Sequence, residues 1–385
     1  MKIVFLIHNF NIPNHTLQPR QFIHQIGKIL AAQGHHIHVV TDNCIEKAID
    51  GIAVTGYDLD EKSKHEAISK EIHKIAPDVV IASTTFTSIF SNSKLNSSID
   101  IPVIANFSFP IYDLRAILKL FTQVGPRKML YYLLNNLIKE RAVKQINKNR
   151  PYKLIICQSI NNSEKLINLG LKKELLLHLP PGIDNNTWYQ NNKKIRDPDQ
   201  SFKYLFFGPP RKARGLNLLL LAFQNISLDF PEARLELLLR GARKNDIMQI
   251  NDKLIKLGIK DKTDLSSGWL SQSRIREAIW NCSIIVIPFI LSESDMPVSI
   301  LEAKACGKPV ISTNVCSVPE MVTAGGLVIA PGSVKELTSA MHKVITDPEY
   351  LNNLQQNAHT EMDTYPNWET TANHLVKAVE NALEK

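Results

Sequence analysis

The stretch "SESDMPVSILEAKACGKPVIST", residues 292–313, decides the fold. Residues 297–306 predict a short helix, because Pro297 suits a first turn, where no backbone donor is lost, and Gly307 suits the stop. The apolar strand "SIIVIPF" precedes this segment and the strand "KPVIST" ends it. A strand, a helix and a second strand in this order predict two parallel strands covered by a helix.

The same alternation runs through all 385 residues, which is too long a chain for one ordinary core. Short apolar strands such as "KIVFLI", "HIHVVTD" and "DVVIAST" alternate with helices in the first half, and "KYLFFG" and "RLELLLRG" continue the pattern in the second. Residues 182–201 are polar and lack apolar periodicity, which indicates a linker. We therefore predict an α/β protein of two doubly wound, Rossmann-like domains, 1–184 and 202–365. Ligands are expected in the deep cleft between them, at the carboxyl ends of the strands.

Composition indicates a globular protein, with 44% apolar and 21% charged residues and no run long enough to cross a membrane. The five cysteines are scattered and match neither a metal nor a disulfide spacing, so we expect reduced thiols and a cytoplasmic protein. The net charge of +8 is concentrated in residues 113–153, where ten basic residues face two acidic ones. Leu, Ile, Phe and Tyr interleave with these charges. Either this helical segment docks on the anionic inner face of a membrane, or it has an ordinary solvated basic face. No nucleic-acid-binding module accompanies it.

The amino end of the 297–306 helix is expected to point into the cleft, with Met296, Pro297 and Val298 around it. Unpaired N–H groups and partial positive charge make such an end a natural diphosphate site. Glu302 lies more than one turn into the helix and can reach past the phosphates. A carboxylate at that distance can accept hydrogen bonds from two vicinal hydroxyls of a sugar.

Four segments in this order resemble the retaining glycosyltransferases of family 4, which have the two-domain GT-B fold. They are "LPPGIDNNTWY", "FFGPPRKARGLNLLLLAF", "IIVIPF…MPVSILEAKACGKPVIST" and "NWETTANHL". The resemblance implies transfer of a sugar from a nucleotide-sugar donor to a glycan or lipid-linked acceptor, with the configuration retained. It also implies that the closing helix, residues 366–384, packs back on the first domain. No metal or other cofactor is expected to be required, because Arg, Lys and the helix amino end can neutralise the leaving group.

The resemblance assigns Glu302 to the ribose hydroxyls of the donor. The family places a second Glu eight residues earlier, against the transferred sugar, and here that position is Ser294. Glu293 and Asp295 flank it, so one of the three residues is expected to face the sugar. We favour Asp295, which directly precedes Met296 and Pro297 at the phosphate end of the site.

The resemblance also assigns "GPPRKARG", Gly208 to Gly215, to the phosphate loop. Arg214 stands where the family has Lys and can clamp a diphosphate with two parallel hydrogen bonds. The family's Arg position is proline here, so Arg211 or Lys212 must substitute if anything does. Trp269 and Leu270, in "SSGWLSQ", lie where the nucleobase pocket forms. Trp269 either stacks on the base or belongs to the core, and we favour the core.

The first domain departs from the family. Its first loop, "HNFNIPNHTLQPRQF", lacks the expected glycine pair, and "IPVIANFSFPIYDL" lacks the expected histidine. His8 and His15 can line the cleft, although a single histidine is more often structural. Two alternatives follow: a nucleotide-sugar 2-epimerase-like isomerase, which needs acid–base groups that we expect to be scarce here, or a non-catalytic nucleotide-sugar-binding subunit. Two Asp-x-Asp triplets, at 58–60 and 197–199, are interpreted as chance rather than as metal sites.

Overall fold

A computed structural model describes residues 1–12, 15, 17–42, 44–57, 64–91, 99–119, 126–191 and 201–384. Both Asp-x-Asp triplets, the middle of the predicted linker and residues 120–125 of the basic segment lie outside this described part.

The first domain is built on an 8-stranded sheet in the order β3-β4-β2-β1-β5-β6-β7-β8. Every neighbouring pair is parallel except β3–β4, which forms an antiparallel hairpin at one edge. The inner strands are almost entirely buried because helices cover both faces. The strands are β1 (Lys2–Leu6), β2 (His36–Asp42), β3 (Ala48–Ile49), β4 (Ile52–Tyr57), β5 (Val79–Ser83), β6 (Val103–Phe107), β7 (Leu154–Cys157) and β8 (Leu176–His178).

The second domain is built on a 6-stranded, fully parallel sheet in the order β11-β10-β9-β12-β13-β14. The strand order reverses between β9 and β12, and the carboxyl ends at such a reversal are where open α/β sheets bind ligands. The strands are β9 (Lys203–Gly208), β10 (Arg234–Arg240), β11 (Thr263–Gly268), β12 (Ile284–Val286), β13 (Val310–Thr313) and β14 (Gly326–Ile329). The prediction of two doubly wound domains is confirmed.

Helices connect the strands and cover both sheets. In the first half they are α1 (Arg20–Ala32), α2 (Lys64–Ile75), α3 (Phe86–Ser91), α4 (Leu114–Lys119), α5 (Pro126–Asn149) and α6 (Ile160–Asn168). In the second half they are α7 (Leu216–Asp229), α8 (Lys244–Lys256), α9 (Gln272–Asn281), α10 (Ser299–Ala305), α11 (Val318–Val322), α12 (Val334–Thr346), α13 (Pro348–Asp363) and α14 (Trp368–Leu383). The predicted helix 297–306 is therefore shorter than expected, since its first turn starts only after Val298.

The closing helix α14 packs on the first domain rather than on the second. Its buried residues Trp368, Ala372, Leu375 and Val379 share one hydrophobic cluster with β1, β2 and α1. Their spacing of three or four residues forms a single apolar face. The two ends of the chain are therefore joined through the core of the first domain.

The two domains also meet directly beside the cleft. The Tyr112 hydroxyl of the first domain donates to the Ser292 carbonyl of the second at 2.5 Å. Tyr112, Ile117 and Met129 share a buried cluster with Ala213 and Leu291 from across the cleft. These contacts hold the first domain against the loop between β12 and α10.

Candidate active site

A cleft of about 970 Å³ lies between the domains and takes its wall residues from both of them. From the second domain the walls include residues at the ends of β9 and β10 and just after β11, together with the amino end of α10. From the first domain they include the loop after β1 and the start of α1. Its position at the carboxyl ends of the strands is that of a ligand site in a doubly wound protein.

Arg214 carries a positive charge into the cleft wall. Its Nη2 donates to the Phe207 carbonyl at 3.1 Å and to the Ser299 hydroxyl at 3.3 Å, and its guanidinium lies 4.9 Å from the centroid of the Phe289 ring. Its Nε has no hydrogen-bond partner among the described residues. Burial lowers the pKa of Arg214 to about 10, so it stays charged at neutral pH. An anion entering the cleft would find a positioned donor with an unused N–H.

Gly208 is required by this placement of the arginine. It ends β9 at φ +123°, and a Cβ there would lie 2.8 Å from Nη2 of Arg214. The glycine thus lets the guanidinium lie directly against the backbone, which a larger residue would prevent. Gly215, on the other side of the loop, has φ +75°, and a Cβ there would meet the Pro288 carbonyl oxygen at 1.9 Å.

Glu302 lines the cleft between two arginines. Burial raises the pKa of its carboxyl to about 7, while the charges of Arg240 and Arg214 oppose the rise. The carboxyl therefore changes charge near neutral pH, and a ligand that donates hydrogen bonds to it would favour the ionised form. A raised pKa in a cleft is typical of functional carboxylates.

Trp269 is 65% exposed, so the expectation that it belongs to the core is wrong. It follows β11, an edge strand paired on one side only, and it lies in the cleft wall with Leu270. The guanidinium of Arg240 lies 4.9 Å from its ring centroid. An exposed indole at the mouth of a cleft offers a flat surface for stacking. Sequence reasoning missed Arg240; the signal was a basic residue at the end of the strand "RLELLLR".

The loop before α10 separates the three candidates for contact with a sugar. Glu293 and Ser294 line the cleft, and Glu293 forms an ion pair with Arg211, which lines it too. Asp295 does not belong to the wall; its side chain is fully buried. The preference for Asp295 as the sugar-facing acid is therefore corrected in favour of Glu293 and Ser294.

Asp295 joins the two domains instead. Its Oδ1 accepts from the Ser159 hydroxyl at 2.8 Å, its N–H donates to the Ser108 carbonyl at 3.2 Å, and its carbonyl accepts from the Ser317 hydroxyl. Burial raises the pKa of Asp295 to about 8. The carboxyl is thus protonated at neutral pH and bonded to a residue of the first domain, outside the cleft.

Two further predicted contacts lie away from the cleft. Met296 is buried in the hydrophobic core of the second domain, and Lys212 is exposed without lining the wall. Pro297 and Val298 do line the cleft, together with Ser299.

The first domain contributes an arginine that the sequence analysis did not single out. Arg20, at the start of α1, lines the cleft and donates from Nε to the His8 carbonyl at 3.0 Å. Burial lowers its pKa; the charge of Asp42 raises it, and that of Arg211 lowers it again. His15 and His24 line the same wall, whereas His8 is not among the wall residues. The expectation that this domain is poor in acid–base groups is wrong at the cleft.

Comparison with known proteins identifies the second half of the chain most clearly. Residues 189–361 match the family "Glycosyl transferases group 1". The MMP alpha-(1->4)-mannosyltransferase of Mycolicibacterium hassiacum is 25% identical over 252 residues, which is 64% of this chain and 57% of the relative. The chain thus spans somewhat more than half the length of this curated relative.

Solved structures resemble the whole chain. Sucrose-phosphate synthase from Thermosynechococcus elongatus has a TM-score of 0.77 at 16% identity, covering 100% of this chain and 99% of that one. HepE from Anabaena, solved in complex with UDP and glucose, has a TM-score of 0.73 at 17% identity, covering 99% of both chains. WaaG, a glycosyltransferase involved in lipopolysaccharide biosynthesis, has a TM-score of 0.70 at 16% identity and covers 97% of this chain and 98% of that one. The two-domain arrangement is therefore the GT-B fold.

Proposed function

We propose that this chain, which belongs through residues 189–361 to the glycosyl transferases group 1 family, transfers a sugar from a nucleotide-sugar donor with retention of configuration. The observation that carries the proposal is the placement of Glu302 in the cleft between Arg214 and Arg240. A carboxylate next to two guanidinium groups suits a ligand with a diol at one end and a diphosphate beside it. In this arrangement Glu302 accepts from the ribose hydroxyls and Trp269 supports the base.

The leaving diphosphate is stabilised by fixed positive charge. Arg214 supplies two N–H groups in one plane, and its charge is held in place by Ser299 and the Phe207 carbonyl. Arg211 and Arg20 reach the same cleft from opposite domains. Donors that are already in place when charge develops on the leaving oxygen need no reorganisation in the transition state. These arginines provide charge neutralisation without a metal ion.

Among the described wall residues, carboxylates are supplied by Asp50, Glu293 and Glu302. Glu293 is engaged with Arg211, and Glu302 is assigned to the nucleotide, so the described wall of the second domain offers no uncommitted carboxylate as a nucleophile. We therefore infer that the acceptor attacks on the face from which the diphosphate leaves, with the leaving oxygen taking the acceptor's proton. Closure of the domains over the bound donor would exclude water and limit hydrolysis of the donor.

Donor binding and transfer test this proposal. A thermal-shift screen of UDP-, GDP- and ADP-sugars should give one class that raises the unfolding temperature, since a ligand of the native state stabilises it by mass action. Product analysis by nuclear magnetic resonance should then show a retained anomeric configuration. An inverted product, or no stabilisation by any nucleotide sugar, would contradict the proposal.

Product analysis also addresses the isomerase. His15, His24 and Asp50 place acid–base groups on the first-domain wall, which is the feature that a 2-epimerase-like enzyme needs. Epimerised sugar released without an acceptor would favour the isomerase over the transferase. Stable binding with neither reaction would favour a binding subunit.

We further propose a lipid-linked acceptor, reached from the anionic cytoplasmic face of a membrane through α5. No helix among the described residues is long and apolar enough to cross a membrane. Along α5 the exposed stripe at 130, 134, 137, 141, 144 and 148 carries three leucines followed by one arginine and two lysines. Leu137 is 72% exposed, Leu130 58% and Leu134 43%. Leucines flanked by cations are the pattern of a helix that lies in a membrane surface. All five cysteines are free, which suits the reducing cytoplasm.

Vesicle flotation tests the docking surface. We expect binding to anionic vesicles, weaker at high salt because each Lys or Arg near the surface contributes about 1 kcal/mol. The double variant Leu130→Ser/Leu137→Ser should bind at least about tenfold more weakly, since two buried leucines are lost. Leu228→Ser, at a leucine 74% exposed in the second domain, is the matched control and should bind normally. Equal binding of both variants, or of the chain to neutral vesicles, would refute the docking surface.

A further inference from the structure

We propose that His15, His24 and Asp50 form a binding site for a divalent transition-metal ion such as Zn²⁺ on the first-domain wall of the cleft. The three side chains offer two imidazole nitrogens and one carboxylate oxygen, all within 4.8 Å of one another. His24 Nε2 lies 2.8 Å and His15 Nε2 4.0 Å from the same oxygen, Asp50 Oδ2. All three residues line the cleft. The proposal concerns a different wall from the nucleotide-sugar site and does not depend on the function proposed there.

Local structure brings the three residues together from three separate segments. His24 is fixed on α1 and is 3% exposed. Asp50 belongs to the tight turn of the β3–β4 hairpin, where Asp50 and Gly51 both have positive φ, +47° and +84°. Asp-Gly is favoured in such turns, and this one aims the carboxylate at α1. His15 comes from the loop after β1, and its ring meets that of His24 edge-on at 4.6 Å.

The hydrogen bond of His15 leaves its second ring nitrogen available to a cation. Its Nδ1 lies 2.7 Å from the Ile12 carbonyl oxygen, which can only accept, so Nδ1 carries the proton. The Nε2 lone pair is then left on the side of Asp50. A cation bound between this nitrogen and the Asp50 carboxylate would be attracted by both. Metal-bound histidines characteristically donate their other N–H to a carbonyl or carboxylate in this way.

His24 can join such a site by exchanging one proton for the metal ion. Its ring is buried, and its Nε2 lies 2.8 Å from Asp50 Oδ2. Without metal, its Nε2–H donates to Asp50, and a metal ion would take the place of that proton. The proton then moves to Nδ1, which has no partner among the described residues. Because this N–H is not satisfied, we expect micromolar rather than nanomolar affinity.

The donor set selects the class of metal. Imidazole nitrogens suit Zn²⁺ and its transition-metal neighbours, whereas Mg²⁺ and Ca²⁺ prefer oxygen donors alone. Bonds of about 2.0–2.1 Å in a tetrahedral zinc site bring the donor atoms to about 3.4 Å from one another. Asp50, whose side chain is 52% exposed, can make this small adjustment. Three protein ligands leave a position open to the cleft for water or an oxygen of a bound molecule.

Metal titration of the untagged, chelator-treated full chain tests the proposal. We expect one Zn²⁺ per chain by calorimetry, and Co²⁺ should produce visible absorption bands without a thiolate charge-transfer band. His15→Ala and Asp50→Asn should each weaken binding at least about tenfold, a loss typical of altered metal sites. Both change partly exposed side chains, so circular dichroism should show a native fold. His359→Ala is the matched control. His359 is exposed and lies 3.9 Å from Asp363, but among the described residues this pair is not part of a cluster that could hold a metal ion.

Two results would overturn the proposal. The first is no saturable Zn²⁺ binding at one ion per chain, or unchanged affinity in His15→Ala and Asp50→Asn. The second is a thiolate-to-cobalt band, because it would place the ion at a cysteine. Retained binding in His359→Ala together with its loss in the two site variants would establish the cluster as the metal site.

Discussion

Replacing Asp295 with Asn should stabilise the protein, and increasingly so as the pH rises. In the native state burial raises the pKa of this carboxyl to about 8, against 3.8 for the ordinary side chain. Below pH 3.8 the carboxyl is protonated in both states and imposes no cost. Between pH 3.8 and 8 only the unfolded chain releases the proton, so the free energy of unfolding falls with each pH unit. Above pH 8 both states have released it, and the loss of stability is constant.

The structure gives the size of this effect. At pH 7 the difference from 3.8 is about three units, which corresponds to about 4 kcal/mol. Asn can still accept from the Ser159 hydroxyl, as Oδ1 of Asp295 does at 2.8 Å. Its NH₂ replaces Oδ2, which has no partner among the described residues, and that costs about 1–2 kcal/mol. We expect near-equal stability at pH 5 and a gain for Asp295→Asn of about 2–3 kcal/mol at pH 7 and about 3–4 kcal/mol at pH 8.

Denaturant unfolding at pH values from 5 to 9 measures this difference. Asp295 forms its hydrogen bond with a residue of the other domain. If the domains separate before they unfold, the free energy of that separation should therefore show the same pH dependence. Asp264→Asn, at an exposed position of β11, is the control and should differ from the native chain by the same amount at every pH. The reasoning is refuted if the profiles of Asp295→Asn and the native chain run parallel between pH 5 and 8.

Three further predictions concern the donor side of the cleft. Arg214→Lys should raise the Km for donor about tenfold or more, because a lysine cannot make two parallel hydrogen bonds; steady-state kinetics measure this, and an unchanged Km would exclude a diphosphate clamp. Gly215→Ala should destabilise the second domain by at least about 2 kcal/mol more than Gly258→Ala. Both glycines have positive φ, but of the two only Gly215 would bring a Cβ against a backbone oxygen, that of Pro288. Calorimetry of the two variants measures the difference, and equal losses of stability would contradict the prediction. Donor affinity should fall about tenfold per pH unit below about pH 7, where Glu302 becomes protonated. Calorimetric titrations should show that this pH dependence is absent in Glu302→Gln.

The fold could be predicted from sequence because both sheets are parallel, apart from the β3–β4 hairpin, and buried, so most strands are continuous apolar runs. The exceptions are edge strands. β11, "TDLSSG", has one apolar residue and pairs on one side only, and β3 has two residues. Neither strand shows the run of apolar residues from which a strand is predicted.

The candidate site could be predicted only where its residues are close in sequence. Glu302, Arg214 and Gly208 lie in contiguous segments with a recognisable order, and all three line the cleft. Arg240 and Arg20 reach the cleft through tertiary packing, which single-sequence spacing does not record. Asp295 was misplaced for the same reason, since its partner Ser159 lies 136 positions away in the other domain.

In the proposed function, Glu302 holds the nucleotide of the donor. The most direct test is the rate of sugar transfer by Glu302→Ala, measured with the donor identified by the thermal-shift screen and compared with the native chain at pH 8. Losing two hydrogen bonds from a charged acceptor should lower kcat/KM by at least about a hundredfold, with native unfolding behaviour retained. Unchanged transfer kinetics in Glu302→Ala would contradict the assignment of Glu302 to the donor nucleotide.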